Sequence, residues 1–130
     1  MKRRWLLALL SASFSSFGQK ERKPQNVTRI EVAELKAARA ERRITLDGTI
    51  RNAGTRPLTK LVLLFDLLDA DRKTISRRRG AVEEPLLEPG DDYSFEFYVA
   101  DHVRAVEVGV AAEARGLEID VAKPGPYLIE

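Results

Sequence analysis

The chain of 130 residues contains no cysteine and one histidine, His102. Without cysteine there is no disulfide, no thiolate zinc site and no lipid-modified cysteine. A single histidine makes a zinc or copper centre improbable, and a serine hydrolase would depend on Ser76 or Ser94, the only serines after residue 18. His102 follows Asp101 in a short polar break between two predicted strands, which predicts a loop residue rather than a general base.

Other common signatures of chemistry are also missing. No glycine-rich phosphate loop is present, and the paired acids Glu83-Glu84 and Asp91-Asp92 flank predicted turns, which is typical of solvated charge. A glycosidase would also need a cleft between its carboxylates. We therefore predict no catalytic residues, no cofactor and no metal, and a protein that is not an enzyme.

The first 18 residues have the composition of a secretory signal peptide. Three basic residues at positions 2–4 precede an apolar, serine-rich stretch at positions 5–17, and small residues at positions 16 and 18 permit cleavage before Gln19. The alternative is an uncleaved anchor, but a helix of that length spans only about 20 Å of a hydrocarbon core of about 30 Å. We expect an exported protein, periplasmic or extracellular, with no stable membrane insertion after cleavage.

Removal of that segment changes the charge balance. Residues 1–18 hold three of the 22 basic residues and no acidic one, which leaves 19 basic against 20 acidic residues. No strongly basic field then remains to favour nucleic acid as a partner. The charge is uneven, since residues 19–60 carry a net +6 and residues 83–130 a net −9. The two halves either neutralise each other in the fold or form a dipolar surface that orients a partner.

The remaining chain alternates apolar and polar residues with a period of two. Four segments, at 44–51, 93–99, 106–111 and 117–121, place one apolar face on a sheet, and turn residues separate them. This predicts an all-β fold, an antiparallel Ig-like β-sandwich of about seven strands. The expected organisation is a charged linker at 19–27, the sandwich at 28–122, and a C-terminal tail at 123–130 after Pro124 and Pro126 interrupt the last strand.

Two segments fit this pattern less well. Residues 28–43 are rich in alanine and charge, as in a helix, yet Ile30 and Val32 alternate; we predict a first strand followed by a loop. Residues 73–82 contain Arg77-Arg78-Arg79, which predicts a strand at a sheet edge, where charge blocks pairing with another molecule. The same arginines are a weaker candidate for contact with an anionic surface such as phospholipid or polysaccharide.

The stretch from Leu58 to Asp69 is apolar on both faces of its predicted strand. One face carries Leu61, Leu63, Phe65 and Leu67 and belongs to the core. On the other, Val62, Leu64 and Leu68 accompany Asp66, which is typical of a strand covered on both sides or of an exposed face that binds a partner. Our candidate partner-binding residues are Val62, Leu64, Leu68 and Tyr98, with the Tyr127-Leu128-Ile129 segment as a further possibility.

Three aspartates, Asp66, Asp69 and Asp71, end this strand and begin the bend that follows. Alternation places Asp66 on the face opposite Asp69, and aspartate suits a bend because its carboxylate accepts backbone N–H groups two residues on. Calcium needs six to eight converging oxygens. Hairpin chemistry is therefore the preferred explanation, and a cation-binding domain or cation-dependent enzyme built on these three residues is the alternative.

Three short motifs resemble those of FxLYD-type domains, small Ig-like β-sandwiches of secreted bacterial and archaeal proteins. They are Phe65-Asp66-Leu67-Leu68-Asp69, with leucine in place of the motif's tyrosine, then Gly48-Thr49-Ile50-Arg51-Asn52, and Leu87-Glu88-Pro89-Gly90 ahead of Phe95. The family commonly has glycine where this chain has Arg72-Lys73, and this departure predicts a looser or longer bend. The resemblance implies a sandwich fold and an extracytoplasmic setting, and it carries no catalytic residues.

Together these features favour an exported, non-catalytic binding or assembly module of the cell envelope. Its partner is an unknown protein or a second copy of the chain. An inert structural domain is a further hypothesis.

Overall fold

The structure is a computed structural model that describes residues 26–130; the predicted signal peptide and nearly all of the linker lie outside the described residues. Within 26–130 there are eight β-strands and no helix, and hence no helix that could cross a membrane. The strands are β1 Arg29–Ala40, β2 Arg43–Asn52, β3 Leu61–Leu68, β4 Thr74–Ala81, β5 Asp92–Ala100, β6 Glu107–Ala114, β7 Leu117–Ala122 and β8 Tyr127–Leu128. The predicted all-β fold class is confirmed.

The strands form a β-sandwich with the hydrogen-bonded order β4-β3-β6-β7-β1-β2-β5. All pairs are antiparallel except β1 with β7, which run parallel over three residues of each strand. β7 joins the two halves of the sandwich, because residues 117–119 pair with β6 and residues 120–122 pair with β1. β4 and β5 are the two strands left at the edges, as the arginine-rich composition of β4 predicts.

The first strand is longer than predicted. Residues 28–43 do not form a short strand and a loop, because β1 continues to Ala40 and pairs with β2 along its whole length. A bulge between Val32 and Glu34 shifts the register, so that Ile30 and Val32 face the core before the bulge and Ala37 faces it afterwards. This shift of phase removes the regular alternation on which the sequence-based prediction relied.

The predicted C-terminal tail is instead part of the sandwich. β7 does end before Pro124, but after the cis bond between Gly125 and Pro126 the chain returns as β8 beside β6. Ile129 is only 6% exposed and bridges to Ala37 in β1. The last residues therefore fill the gap between β6 and β1 at the end of the sheet that β7 does not reach.

The inner face of β3 forms the centre of the core, as predicted. Leu61, Leu63, Phe65 and Leu67 are buried. The Phe65 ring lies 5.9 Å from the ring of Phe95 and 5.8 Å from that of Phe97, and the latter two stack at 5.3 Å. These rings come from the two halves of the sandwich, so their contact holds the halves together.

The turn before β5 has the predicted geometry. Gly90 has a φ of 89°, and the Asp91 N–H donates to the Glu88 carbonyl over 2.9 Å, which closes a four-residue turn around Pro89 and Gly90. These are the conformations of a type II turn, in which only the third residue needs a positive φ.

The bend between β3 and β4 is tighter than predicted. The Arg72 N–H donates to the Asp69 carbonyl (2.9 Å), and the Asp69 N–H donates to the Lys73 carbonyl (3.0 Å). Arg72 itself takes the left-handed conformation, with a φ of 63°, in place of the glycine that such a turn favours. The turn therefore forms without glycine, and Arg72 adopts the strained positive φ in its place.

Replacing Arg72 with glycine is expected to raise the free energy of unfolding by about 0.5–1 kcal/mol. Glycine adopts a positive φ without the clash that costs other residues about 1–2 kcal/mol, although it adds entropy to the unfolded chain. The exposed 3.2 Å ion pair of Arg72 with Glu107 is lost in exchange, at a small cost. Urea denaturation measures the change, and Arg72→Ala, which keeps the strain, should give no gain.

Candidate functional site

The outer face of β3 carries three of the four proposed partner-binding residues. Val62, Leu64 and Leu68 alternate with the core residues along this strand. Tyr98 lies elsewhere, because it belongs to β5, which pairs only with β2, whereas β3 pairs with β4 and β6. The structure thus brings three candidates into one row and separates the fourth.

Leu64 is covered although it points away from the core. It is 5% exposed and lies opposite Arg79 of β4 and Ala111 of β6. The Arg79 guanidinium reaches across β3 to the Glu113 carboxylate of β6 at 3.4 Å. This side chain therefore passes over the strand beside Leu64, and its methylene stem explains the burial.

A second ion pair borders Leu64 on its other side. Asp66 accepts two hydrogen bonds from the Arg77 guanidinium, at 2.7 and 3.0 Å, between directly opposite positions of β3 and β4. The middle of the outer face is thus occupied by charge pairs, and an apolar partner would meet arginine and carboxylate there.

The exposed part of this face is at its far end. Leu68 is opposite Glu107 of β6, and Glu107 is opposite Leu128 of β8, so the three side chains form one row across three strands. Leu128 is 66% exposed, and Val106, whose N–H donates to the Leu68 carbonyl over 2.8 Å, is also exposed. We call Leu68, Val106 and Leu128 the apolar strip.

Tyr98 stands on the polar outer face of the β2–β5 pair. Its ring is 52% exposed, with the Arg43 guanidinium 4.2 Å from the ring centre. Its hydroxyl donates to Glu96 over 3.1 Å, and this bond raises the pKa of Tyr98. Arg43 already occupies one face of the ring, which leaves Tyr98 a smaller surface for a partner than its exposure suggests.

Asp66 and Asp69 have separate roles. Asp66 pairs with Arg77, whereas Asp69 Oδ1 accepts the N–H groups of Asp71 (2.9 Å) and Lys73 (3.0 Å). The bond from Lys73 is the main reason that the pKa of Asp69 is lowered. This is the predicted hairpin chemistry, and no group of three metal-ligating side chains occurs among residues 26–130.

His102 lies in the loop between β5 and β6, as predicted. Its Nδ1 accepts the Arg104 N–H at 3.1 Å, so this nitrogen is engaged within the loop. Its neighbour Asp101 accepts two bonds from Arg39, at 2.8 and 3.0 Å, which lowers the pKa of Asp101 and raises that of Arg39. This ion pair fastens the loop to the end of β1.

Comparisons with known proteins extend the account of the fold. No protein-family model matches the chain, and no curated protein matches it in sequence. A β-glucuronidase from glycoside hydrolase family 2 is similar in structure, with a TM-score of 0.50 and 12% sequence identity over 70% of this chain. The chain covers 12% of that enzyme's length, so the likeness concerns one part of it and shows the β-sandwich fold alone.

Two further structures match less closely. IrmA from Escherichia coli gives a TM-score of 0.45 at 12% identity, over 82% of this chain and 99% of that one. A GH20 exo-β-N-acetylglucosaminidase from Vibrio harveyi, solved with N-acetylglucosamine, gives 0.38 at 15% identity, over 80% of this chain and 19% of that one.

One structurally important residue entered the sequence analysis only as part of a motif. Asn52, at the end of β2, is the buried polar side chain of the described part of the chain. Its amide donates to the carbonyls of Arg56 (2.9 Å) and Leu87 (2.8 Å), and its oxygen accepts the Gly54 N–H (3.0 Å). Asn52 thus joins the end of β2 to two loops. A buried asparagine needs hydrogen-bond partners, and the sequence alone does not show which backbone groups supply them.

Proposed function

We propose that this protein is an exported, non-catalytic β-sandwich module that binds a protein partner in the cell envelope through the apolar strip. The observation that carries the proposal is the row of Leu68, Glu107 and Leu128, in which a half-buried and an exposed leucine flank one carboxylate at the end of the sheet. Exposed apolar groups that adjoin one another on an ordered surface are a feature of protein-binding sites.

The three sequence motifs support the proposed domain family. The Phe65–Asp69 motif lies at the end of β3, the Gly48–Asn52 motif ends β2, and the Leu87–Gly90 motif forms the turn before β5. We propose on this basis that the chain is an FxLYD-type domain. The composition of residues 1–18 supports the proposal of export, and the engagement of His102, Asp66 and Asp69 in local hydrogen bonds supports the proposal of a non-catalytic module.

Replacing Leu128 with aspartate tests the binding surface. We expect the variant to keep its fold, because Leu128 is exposed, and to lose at least about tenfold in partner affinity, since a buried unpaired charge at an interface costs several kcal/mol. Cross-linking of the purified protein to envelope proteins identifies the partner, and titration with that partner measures the affinity. Light scattering of the protein alone shows whether the partner is a second copy.

Leu117→Asp is the matched control. Leu117 is 72% exposed, and it lies on β7 at the opposite end of the sheet. This variant adds the same charge at a similarly exposed apolar position and should bind the partner like the unaltered protein. Equal loss in both variants, or equal retention in both, would exclude the apolar strip as the binding site.

A further inference from the structure

A basic depression lies at the end of the sheet opposite the apolar strip. It has a volume of about 460 Å³ and is lined by Lys60, Val62, Arg79, Glu113, Arg115 and Gly116. Three of these side chains are cationic and one is anionic. The backbone brings two of the cations together, because the Arg115 N–H donates to the Lys60 carbonyl over 3.2 Å.

Lys60 and Arg115 differ from Arg72 and Lys123, two other cations at comparable backbone positions. Both have a positive φ, of 53° and 54°, as do Arg72 and Lys123. Arg72 and Lys123 are neutralised by carboxylates, at 3.2 and 2.9 Å.

By contrast, none of the seven ion pairs within residues 26–130 includes Lys60 or Arg115. Arg115 makes one long hydrogen bond, at 3.4 Å, to the Thr59 hydroxyl. The exposed side chains of Lys60 and Arg115 therefore add to a depression with a net positive charge, which attracts anions.

The third cation is only loosely neutralised. Arg79 meets Glu113 at 3.4 Å through one guanidinium nitrogen, whereas Arg77 on the same strand binds Asp66 with two bonds of 2.7 and 3.0 Å. Arg56, also absent from those ion pairs, lines an adjoining depression of about 410 Å³ together with Arg115 and Glu118. That depression adds one cation and one carboxylate, so the excess of positive charge is confined to the first depression.

We propose that Lys60, Arg79 and Arg115 form a binding site for a single oxyanion, a phosphate or carboxylate group carried by the ligand. Guanidinium groups bind either oxyanion through paired N–H donors, and the lysine adds an ammonium that reorients freely. The site is independent of the proposed protein-binding surface, since the two lie at opposite ends of the outer face.

Titration of the ¹⁵N-labelled protein with sodium phosphate, and separately with sodium acetate, tests this site at an ionic strength kept constant with chloride. We expect saturable shifts confined to residues 59–62, 79 and 113–116. Stronger binding of phosphate would assign the ligand group as phosphate, and stronger binding of acetate as carboxylate. Lys60→Gln and Arg115→Gln should each weaken binding about two- to fivefold.

Arg42→Gln provides the matched control. Arg42 also has a positive φ, of 69°, is exposed and lies in the turn between two strands, but it lines neither of these depressions. This variant should bind like the unaltered protein. The proposal fails if shifts rise linearly over all basic surfaces, or if Arg42→Gln weakens binding as much as Arg115→Gln does.

Discussion

Replacing Ile129 with alanine is expected to lower the free energy of unfolding by about 2–4 kcal/mol. Ile129 is the penultimate residue of the chain, yet it is 6% exposed and packs in the main core cluster. Its N–H donates to the Val106 carbonyl over 3.0 Å, and the Glu130 N–H donates to the Ala37 carbonyl over 2.9 Å. Removal of the side chain leaves a cavity between β1 and β6, which urea denaturation monitored by circular dichroism will register.

The neighbouring residue serves as the control. Leu128→Ala removes a similar apolar side chain from an exposed position, so it should change the free energy of unfolding by less than about 0.5 kcal/mol. Equal and small effects of the two substitutions would mean that the C-terminal segment is a free tail, as the sequence alone predicts. A large loss for Ile129→Ala alone would establish that the segment completes the core.

Replacing Gly80 with valine should lower the free energy of unfolding by about 1–3 kcal/mol, because it overpacks the core. A Cβ atom at this position would lie 2.7 Å from the Phe97 ring, and two further ring atoms lie within 2.9 Å. The ring cannot move freely, since it stacks on Phe95 and contacts Phe65. Thermal or urea denaturation measures the loss.

Two further variants test whether the loss comes from contact with Phe97 or from adding any valine side chain at a glycine of these strands. Gly109→Val places the same side chain in β6, where the nearest atom to a new Cβ is 3.9 Å away, and should be close to neutral. Combining Gly80→Val with Phe97→Leu should recover part of the stability, because the smaller side chain leaves room. If Gly109→Val is as costly as Gly80→Val, contact with Phe97 is not the cause.

Local patterns were sufficient to predict most strands and several turns. Alternation identified β2, β5, β6 and β7, and the Pro89-Gly90 pair identified its turn, because side-chain direction in a strand and backbone preference in a turn depend on adjacent residues. The bulge in β1 interrupted the alternation of that strand. No pattern within β1 predicts this bulge, which lies where β1 closely approaches its partner strand: a Cβ at Gly48 would lie 2.4 Å from the Glu34 carbonyl oxygen.

The candidate site was predicted only in part. Alternation correctly placed Val62, Leu64 and Leu68 on one face and separated Asp66 from Asp69. It could not show that Arg79 covers Leu64, because that contact depends on the pairing of β3 with β4 and β6. The grouping of Tyr98 with this face required β5 to be a neighbour of β3, and the strand order places β5 at the far edge, beside β2.

The sequence by itself determined the all-β class, the core face of β3, the edge position of the arginine-rich strand and the use of Asp69 in a turn. Each follows from spacing or composition within about ten residues. The tertiary structure alone decided that the last residues fill the sandwich, that Leu64 is buried while Leu128 is exposed, and that the backbones of Lys60 and Arg115 meet beside Arg79. These outcomes depend on pairs of segments far apart in the chain, and their relative positions are set by packing and strand register rather than by local preference.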